Sequence, residues 1–247
     1  MYEAYASDNV KTEIERRKNE FINVLTEALK ERNGSNLEKL IHKLEHSDFF
    51  TAPASTKYHG AYMGGLVDHS LNVYYNMMSI AKSKHLLATY QEVRVTDDYG
   101  NETGEVRQEL IEGCIDPNSI AIVALLHDIS KMNLYVLGVR NKKVYSEHGS
   151  KSDNNGRFEW VSVRQYEMAP VENRFLYGSH EETSEFMVRQ FIPLTPEESV
   201  AILHHHFTTN YDSIKDAGVV SNIYNKYTLA ILLHVADMIS CFIDERY

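Results

Sequence analysis

His127 and Asp128 stand side by side at the end of an apolar run, Ala124-Leu125-Leu126, and Lys131 follows three residues after the aspartate. Imidazole and carboxylate both ligate borderline divalent cations such as Mn, Fe, Ni, Co or Zn. The same pair is also an ordinary polar helix end, so it needs company before it means more. The chain supplies that company in His69, His180, the run His204-His205-His206, and Asp237. Asp237 is the most telling, because an unpaired carboxylate in an apolar segment costs on the order of several kcal/mol to bury.

The elements that must position these residues read as mostly helical. Ile14, Phe21, Leu25 and Leu29 recur at helical spacing between about Asn9 and Glu31, and Asn33-Gly34-Ser35 breaks the pattern. Asn36 to His46 reads as a short second helix. His42 and His46 have ligand spacing there, but their lysine and glutamate neighbours make them a solvated face. Tyr62, Leu66, His69, Val73, Met77 and Ile80 fall on one stripe in which His69 is the polar exception. Gly64-Gly65 just before it costs about 1 kcal/mol per glycine in a helix, which predicts close approach by another backbone or a ligand.

Residues 85–113 are polar, with a turn or small hairpin expected around Asp97 to Asn101. Asp116 or Ser119 caps the next helix, with Pro117 in its first turn, and that helix delivers His127 and Asp128 at its end. From Asn133 to Tyr177 the period changes to β-prone runs, which predicts a small antiparallel insertion suited to act as a lid. Its Trp160, Tyr166 and Phe175 are expected mostly to pack on the core. Gly178-Ser179-His180 opens another helix, and Thr195-Pro196-Glu197-Glu198 is a strong helix start running into the three histidines. The last helix spans about Tyr227 to Phe242, with Asp237 and Ser240 on one face.

A chain of 247 residues accommodates one large domain or two small ones. It has no run of about 20 apolar residues and no basic, then apolar leader at its start. Cys114 and Cys241 lie far apart, in no metal spacing, and read as buried or incidental thiols of a reducing compartment, so the expected location is cytoplasmic. The formal net charge of −10 and the lack of a dense Lys/Arg run weigh against a grip on long nucleic acid. They favour a small phosphorylated substrate whose charge a metal neutralises.

Taken jointly, the order His69, His127-Asp128, His180, His205, Asp237, each on its own helix, resembles the HD-domain phosphohydrolase superfamily. "LLHDISK" resembles its His-Asp signature and following lysine, "GSHEETS" its next helix start, "AILHHHF" its fourth-helix histidine and "LLHVADM" its closing aspartate. "PASTKYHGAYMGGLVDHSLNV" is similar to the HD portion of bacterial 3′→5′ exoribonucleases. The whole chain is similar to small HD hydrolases of gut Firmicutes and their phages; a phage-encoded member would act in the host cytoplasm.

The resemblance implies a mainly α fold: an HD helical bundle over 58–247 with a small antiparallel β insertion at about 133–177, and N-terminal helices in 1–57 packing on it. It implies one or two divalent ions, with Mn, Fe, Ni, Co, Mg and Zn equally allowed. His69, His127, Asp128 and Asp237 would hold the first. Asp128 would bridge to a second held by His180 and His205, with His204 as the reserve for His205. Ser179 is an extra residue ahead of His180 relative to the family pattern. Asp128 would also orient a metal-activated water, and Lys131 would stabilise charge on the phosphate. Glu182 is assigned a catalytic place with the leaving group or behind a ligand, His59 is a candidate for the same roles, and His234 packs behind the site. The implied activity is hydrolysis of a phosphoester in a nucleotide or similar small substrate. The alternatives are a 3′→5′ exonuclease or phosphodiesterase on single-stranded nucleic acid, and a non-catalytic metal- or nucleotide-binding regulatory module.

Overall fold

Hydrophobic periodicity and end signals account for the helices. The computed structural model describes residues 7–97, 99, 101–206 and 214–245, with side chains from 218 onward in the last segment. Helix α1 (Asp8–Leu29) turns Phe21, Leu25, Ala28 and Leu29 inward and is capped by Ser7, whose side chain accepts from the Val10 amide. Helix α2 (Leu37–Glu45), capped by Asn36, buries Leu40 and Leu44. Helix α3 (Gly65–Ser83) buries Leu66, His69, Val73 and Met77 on one stripe. Helix α4 (Pro117–Leu126) is buried without interruption from Ile120 to Leu126. A helix that is apolar all round must be central, and α4 packs against α1, α3, α6 (Pro196–Leu203) and α8 (Thr228–Ile239).

Helix α5 (His180–Arg189) and α6 each begin with a capping box, Ser179 with Glu182 and Thr195 with Glu198. Helix α7 (Ile214–Lys226) precedes α8, and α8 continues into a π-turn over Ser240–Asp244. The N-terminal helices belong to the same core: Phe21 meets Phe49 and Phe50 edge-on, and all three join the buried cluster that contains Leu125 and Leu233. Buried Glu198 clamps this arrangement, accepting two hydrogen bonds from Arg32 at 2.6 and 2.7 Å and one from Ser119 at 2.6 Å. The expected close approach at Gly64-Gly65 is present. Gly64 has φ +85°, and a Cβ on Gly65 would lie 2.0 Å from the Gly60 carbonyl oxygen.

The fold is helix-rich but not all-helical, because two antiparallel sheets interrupt it. Strands β1 (Thr89–Thr96) and β2 (Glu102–Glu112) form a ribbon much longer than the expected turn. Almost every side chain on it faces solvent, so its sequence carries no apolar alternation to announce it. Strands β3 (Tyr135–Tyr145), β4 (Lys151–Asp153) and β5 (Gly156–Met168) pair in the order β3-β5-β4, with Tyr135 opposite Met168 and Tyr145 opposite Phe158. This sheet is the expected insertion, and a 3-10 turn at Val171–Asn173 leads from it back toward α5. Its aromatic residues depart from expectation: Trp160 and Phe175 are 52% and 58% exposed, and only Tyr166 of the three is buried. At its root Asn133 adopts φ +58°, which asparagine tolerates, and exchanges hydrogen bonds with Asp48. Among the described residues no single helix is long and apolar enough to cross a membrane.

Candidate metal centre

The sequence expectation put each ligand on a helix. Several instead stand where helices end. His127 caps the C-terminus of α4, and Asp128 lies between that helix and the 3-10 turn Ile129–Lys131. His180 is the first residue of α5, made so by Ser179, which serves as the N-cap. His205 stands two residues beyond the end of α6. His69 and Asp237 lie within α3 and α8. These positions converge. His69, His127, Asp128, His205 and Asp237 are all at most 3% exposed.

Asp128 is the hub. Its Oδ2 lies 3.5 Å from His69 Nε2 and 3.4 Å from His127 Nε2, while its Oδ1 lies 3.9 Å from His180 Nε2 and 3.8 Å from His205 Nε2. One carboxylate thus turns one oxygen to each of two histidine pairs. Asp237 Oδ1 approaches His69 Nε2 at 3.2 Å. The Lys131 ammonium sits 2.6 Å from Asp128 Oδ2 with its side chain 12% exposed, facing the centre rather than solvent. His205 and not His204 faces Asp128; the carbonyl of His204 accepts from the Tyr224 hydroxyl instead.

Hydrogen bonds at the far ring nitrogens fix which atom three of the imidazoles present. His127 Nδ1 donates to the Ala124 carbonyl at 2.8 Å, and His205 Nδ1 donates to the Ile202 carbonyl at 2.7 Å. His69 Nδ1 is held by Glu245 Oε1 at 3.1 Å, and the same oxygen accepts from Asn72 at 3.0 Å. His180 Nδ1 lies 3.2 Å from Glu181 Oε2, a contact in which that oxygen accepts no hydrogen bond. The three hydrogen-bonded rings therefore turn Nε2 inward, the arrangement that carboxylate and carbonyl partners impose on metal-binding histidines, and His180 likewise directs Nε2 toward Asp128.

The donor set fits a cation on two observations. Asp128 Oδ1, His180 Nε2 and His205 Nε2 are buried around one point, and none has a hydrogen-bond partner. Buried polar atoms are nearly always satisfied, and three acceptors facing one another call for a positive charge between them. Likewise His69 Nε2 and His127 Nε2 face each other at 3.3 Å, although each ring has already committed its Nδ1. Imidazole nitrogen with carboxylate oxygen suits a borderline divalent ion. The side chains of His69, His127 and Asp128 form one group that could hold a metal, and those of His180, His205 and His206 form another.

The electrostatics agree. Burial alone would raise the pKa of Asp128, but Lys131 and His127 outweigh it and hold the carboxyl well below its usual range. Burial acts likewise on Asp237, where His206 and His69 win in the same direction. Burial pushes His205 well below its usual value, helped by His127 and His206, and burial also lowers His180. These two rings are thus neutral, the form that ligates. Without a cation His69 resists the effect of burial through Asp237 and Glu245 and is held up at about 10. Burial and the neighbouring His69 bring His59 down to about 4, leaving a neutral ring whose centroid lies 5.1 Å from that of His69.

Four further residues join the centre. His206 bridges Asp237 Oδ2 and Glu181 Oε1, both at 3.1 Å. Glu181, not Glu182, is the buried glutamate of α5. Glu182 is exposed, and its carboxylate accepts from the Ser179 amide at 2.8 Å as half of a capping box, so it sits away from the predicted catalytic place. The Ser-x-x-Glu spacing from Ser179 to Glu182 is the signal that separates the two glutamates. Glu245 supports His69 from beyond the π-turn, and no motif marks it. Cys241 is the part-buried one of the two cysteines: its thiol donates to Asp237 Oδ1 at 3.3 Å, and burial with the adjacent Asp237 raises its pKa. His234 lies behind the centre as expected, with Nδ1 donating to the His205 carbonyl at 2.6 Å. No family model, curated protein or solved structure matches the chain.

Proposed function

We propose that the protein is a divalent-metal-dependent phosphohydrolase of HD type, acting on a nucleotide or another small phosphoester. One observation carries this reading: Asp128 presents its two carboxylate oxygens to two separate histidine pairs, with a lysine ammonium against one of those oxygens. His69, His127, Asp128 and Asp237 would hold one ion, and Asp128, His180 and His205 would hold another. When bound, such ions supply Lewis acidity to a phosphoryl oxygen and make water a nucleophile near neutral pH.

The chain's own residues do the rest. Asp128, ionised at any physiological pH, fixes the separation between the two halves of the centre. Lys131 holds its proton, because Asp128 outweighs the effect of burial and raises its pKa. It offers a compact positive charge to an equatorial phosphate oxygen at the moment charge builds there. The carbonyls of Ala124 and Ile202 and the carboxylate of Glu245 keep three rings oriented by hydrogen bonds, and Glu181 pairs with the fourth, so little reorganisation accompanies the reaction. His59 contributes a neutral imidazole beside His69, able to accept or donate at Nε2, which has no hydrogen-bond partner.

The test is turnover by metal-loaded protein against nucleoside mono- and triphosphates, cyclic dinucleotides and short RNA, each with a chelator control. Release of phosphate or a nucleotide monoester that disappears in Lys131→Met, with metal content retained, is the expected result. Metal-bound protein inert toward all four classes would leave the regulatory-module alternative standing instead.

A further inference from the structure

A cleft opens where the β3–β5 insertion leaves and rejoins the helices, lined by both of its roots at 132–134 and 173–175 and by α2 and α5. Two cations line it, Lys43 from α2 and Arg174 from the returning root, and no carboxylate does. In a chain of net charge −10 that is an unusual concentration of one sign. Neither cation is spent elsewhere: among the described residues no hydrogen bond or ion pair engages either side chain, and Arg174 Nε is buried without a partner. The Nε–H of Arg174 is thus short of an acceptor, and the guanidinium that carries it has a planar fork that matches a phosphate.

The rest of the wall is uncharged, with the polar Ser130, Asn133, Asn173 and Gln190 beside an apolar side. Phe175, Met187 and Phe191 line that side, and Phe175 is 58% exposed while its ring stacks on Phe186 at 6.0 Å and 15°. An exposed aromatic residue on the same wall as two unpaired cations suits a ligand with a flat apolar part and a doubly charged one. Ser130 lines the cleft too, and its hydroxyl donates to the His180 carbonyl at 3.0 Å, so the cleft and the metal centre share one short turn without sharing a ligand.

We propose that this cleft is a second binding site, selective for a planar aromatic phosphomonoester, with Arg174 and Lys43 on the phosphate and Phe175 against the ring. Both the distal end of an extended substrate and a separate effector carry that chemistry.

The experiment is calorimetric titration of phenyl phosphate, inorganic phosphate and benzoate into the full chain held in chelator, so that metal chemistry plays no part. One saturable equivalent of phenyl phosphate is expected, with inorganic phosphate and benzoate at least about tenfold weaker. Arg174→Gln and Lys43→Gln should each weaken phenyl phosphate by about tenfold. Lys43 is exposed on α2, so its variant answers the question even where the Arg174 variant folds poorly. Absence of saturable binding, or binding unchanged in Lys43→Gln and in folded Arg174→Gln, overturns the proposal. On metal-loaded protein, a raised KM for a nucleotide in Arg174→Gln with kcat unchanged identifies the cleft with the substrate's far end; phenyl phosphate binding with KM untouched identifies an effector. Because the titration needs no turnover, it stands or falls separately from the phosphohydrolase reading.

Discussion

Replacing Asp128 by asparagine isolates the hub of the centre. The side chain keeps its volume but loses its charge, and one of its two oxygens becomes an amide that cannot ligate. In the wild type, metal supplied at 100 times its dissociation constant stabilises the folded state by about 2.7 kcal/mol per site. A chain of this size shifts Tm by about 2–4 °C per kcal/mol, so one filled site gives about 5–11 °C and two give about 11–22 °C. Asp128→Asn has a second effect that must be kept apart. It leaves Lys131 without the carboxylate 2.6 Å away, in a site where that side chain is only 12% exposed. Breaking a buried pair costs about 3–5 kcal/mol, so the metal-free variant should melt well below the metal-free wild type. The quantity to read is therefore the increment on adding Mn within each variant, followed by scanning calorimetry and metal analysis. Wild type should show the full increment, and Asp128→Asn less than about 2 °C, within the range of a weak single site. An undiminished increment with undiminished stoichiometry in Asp128→Asn would refute the bridging assignment.

Other perturbations separate neighbouring claims. His205→Ala should lose one equivalent of metal and His204→Ala none, by metal analysis of dialysed protein; the reverse pattern would move the second site to His204. Glu182→Ala should lower stability by about 1 kcal/mol through its lost cap while leaving kcat unchanged, so a large fall in kcat would return Glu182 to the chemistry. Arg32→Ala should cost about 3 kcal/mol at pH 7 in a denaturant titration, because it strands the fully buried Glu198 carboxylate. Burial works to raise the pKa of Glu198, but the hydrogen bonds from Arg32, Ser119 and Thr195 leave it below 4.5. A depressed carboxylate stabilises the fold above its unfolded pKa and loses that contribution as pH falls through the folded value. The gap between wild type and Arg32→Ala should accordingly narrow below about pH 4.5, and a gap constant down to pH 3 contradicts the assignment. Finally, KM for a small phosphoester should barely change between 50 and 200 mM salt, whereas a nuclease gripping 6–10 phosphates should weaken by about 10³–10⁵.

Much of the architecture was legible in the chain because buried elements leave a periodic trace. The stripe through His69, the unbroken apolar run of α4 and the capped start of α6 each read directly as helices facing a core. The β1–β2 ribbon escaped for the opposite reason: with both faces in solvent, nothing constrains its residues to alternate. The aromatic residues of the insertion misled in the same way, since Trp160 and Phe175 are large and apolar yet exposed. Within the centre, His206 was hidden by its own neighbours. Three consecutive histidines offer one ligand each to three directions, and spacing alone does not say which two turn inward. Glu245 had no signal at all, because its contact with His69 spans 176 residues and depends on the π-turn that ends α8.

The choice of His205 over His204 has a physical reason that reaches beyond this pair. The last turn of a helix leaves carbonyl oxygens without intrahelical donors. A histidine just past that turn can satisfy one of them with Nδ1–H, and doing so fixes the tautomer and turns Nε2 away from the helix. His127 does this with Ala124 and His205 does it with Ile202, each to the carbonyl three residues back. Both helices are short and largely buried, so the aimed nitrogen is carried into the interior without a charged partner behind it. His180 stands at the opposite kind of end, where amides rather than carbonyls are exposed, and it takes a carboxylate from Glu181 instead. The polarity of the helix end thus separates the two C-terminal histidines, which spend Nδ1 on a carbonyl, from His180, whose Nδ1 faces a carboxylate. An apolar helix that closes on histidine is an aiming device in its own right, and two of them meeting at Asp128 are what make this centre more than a cluster of buried polar residues.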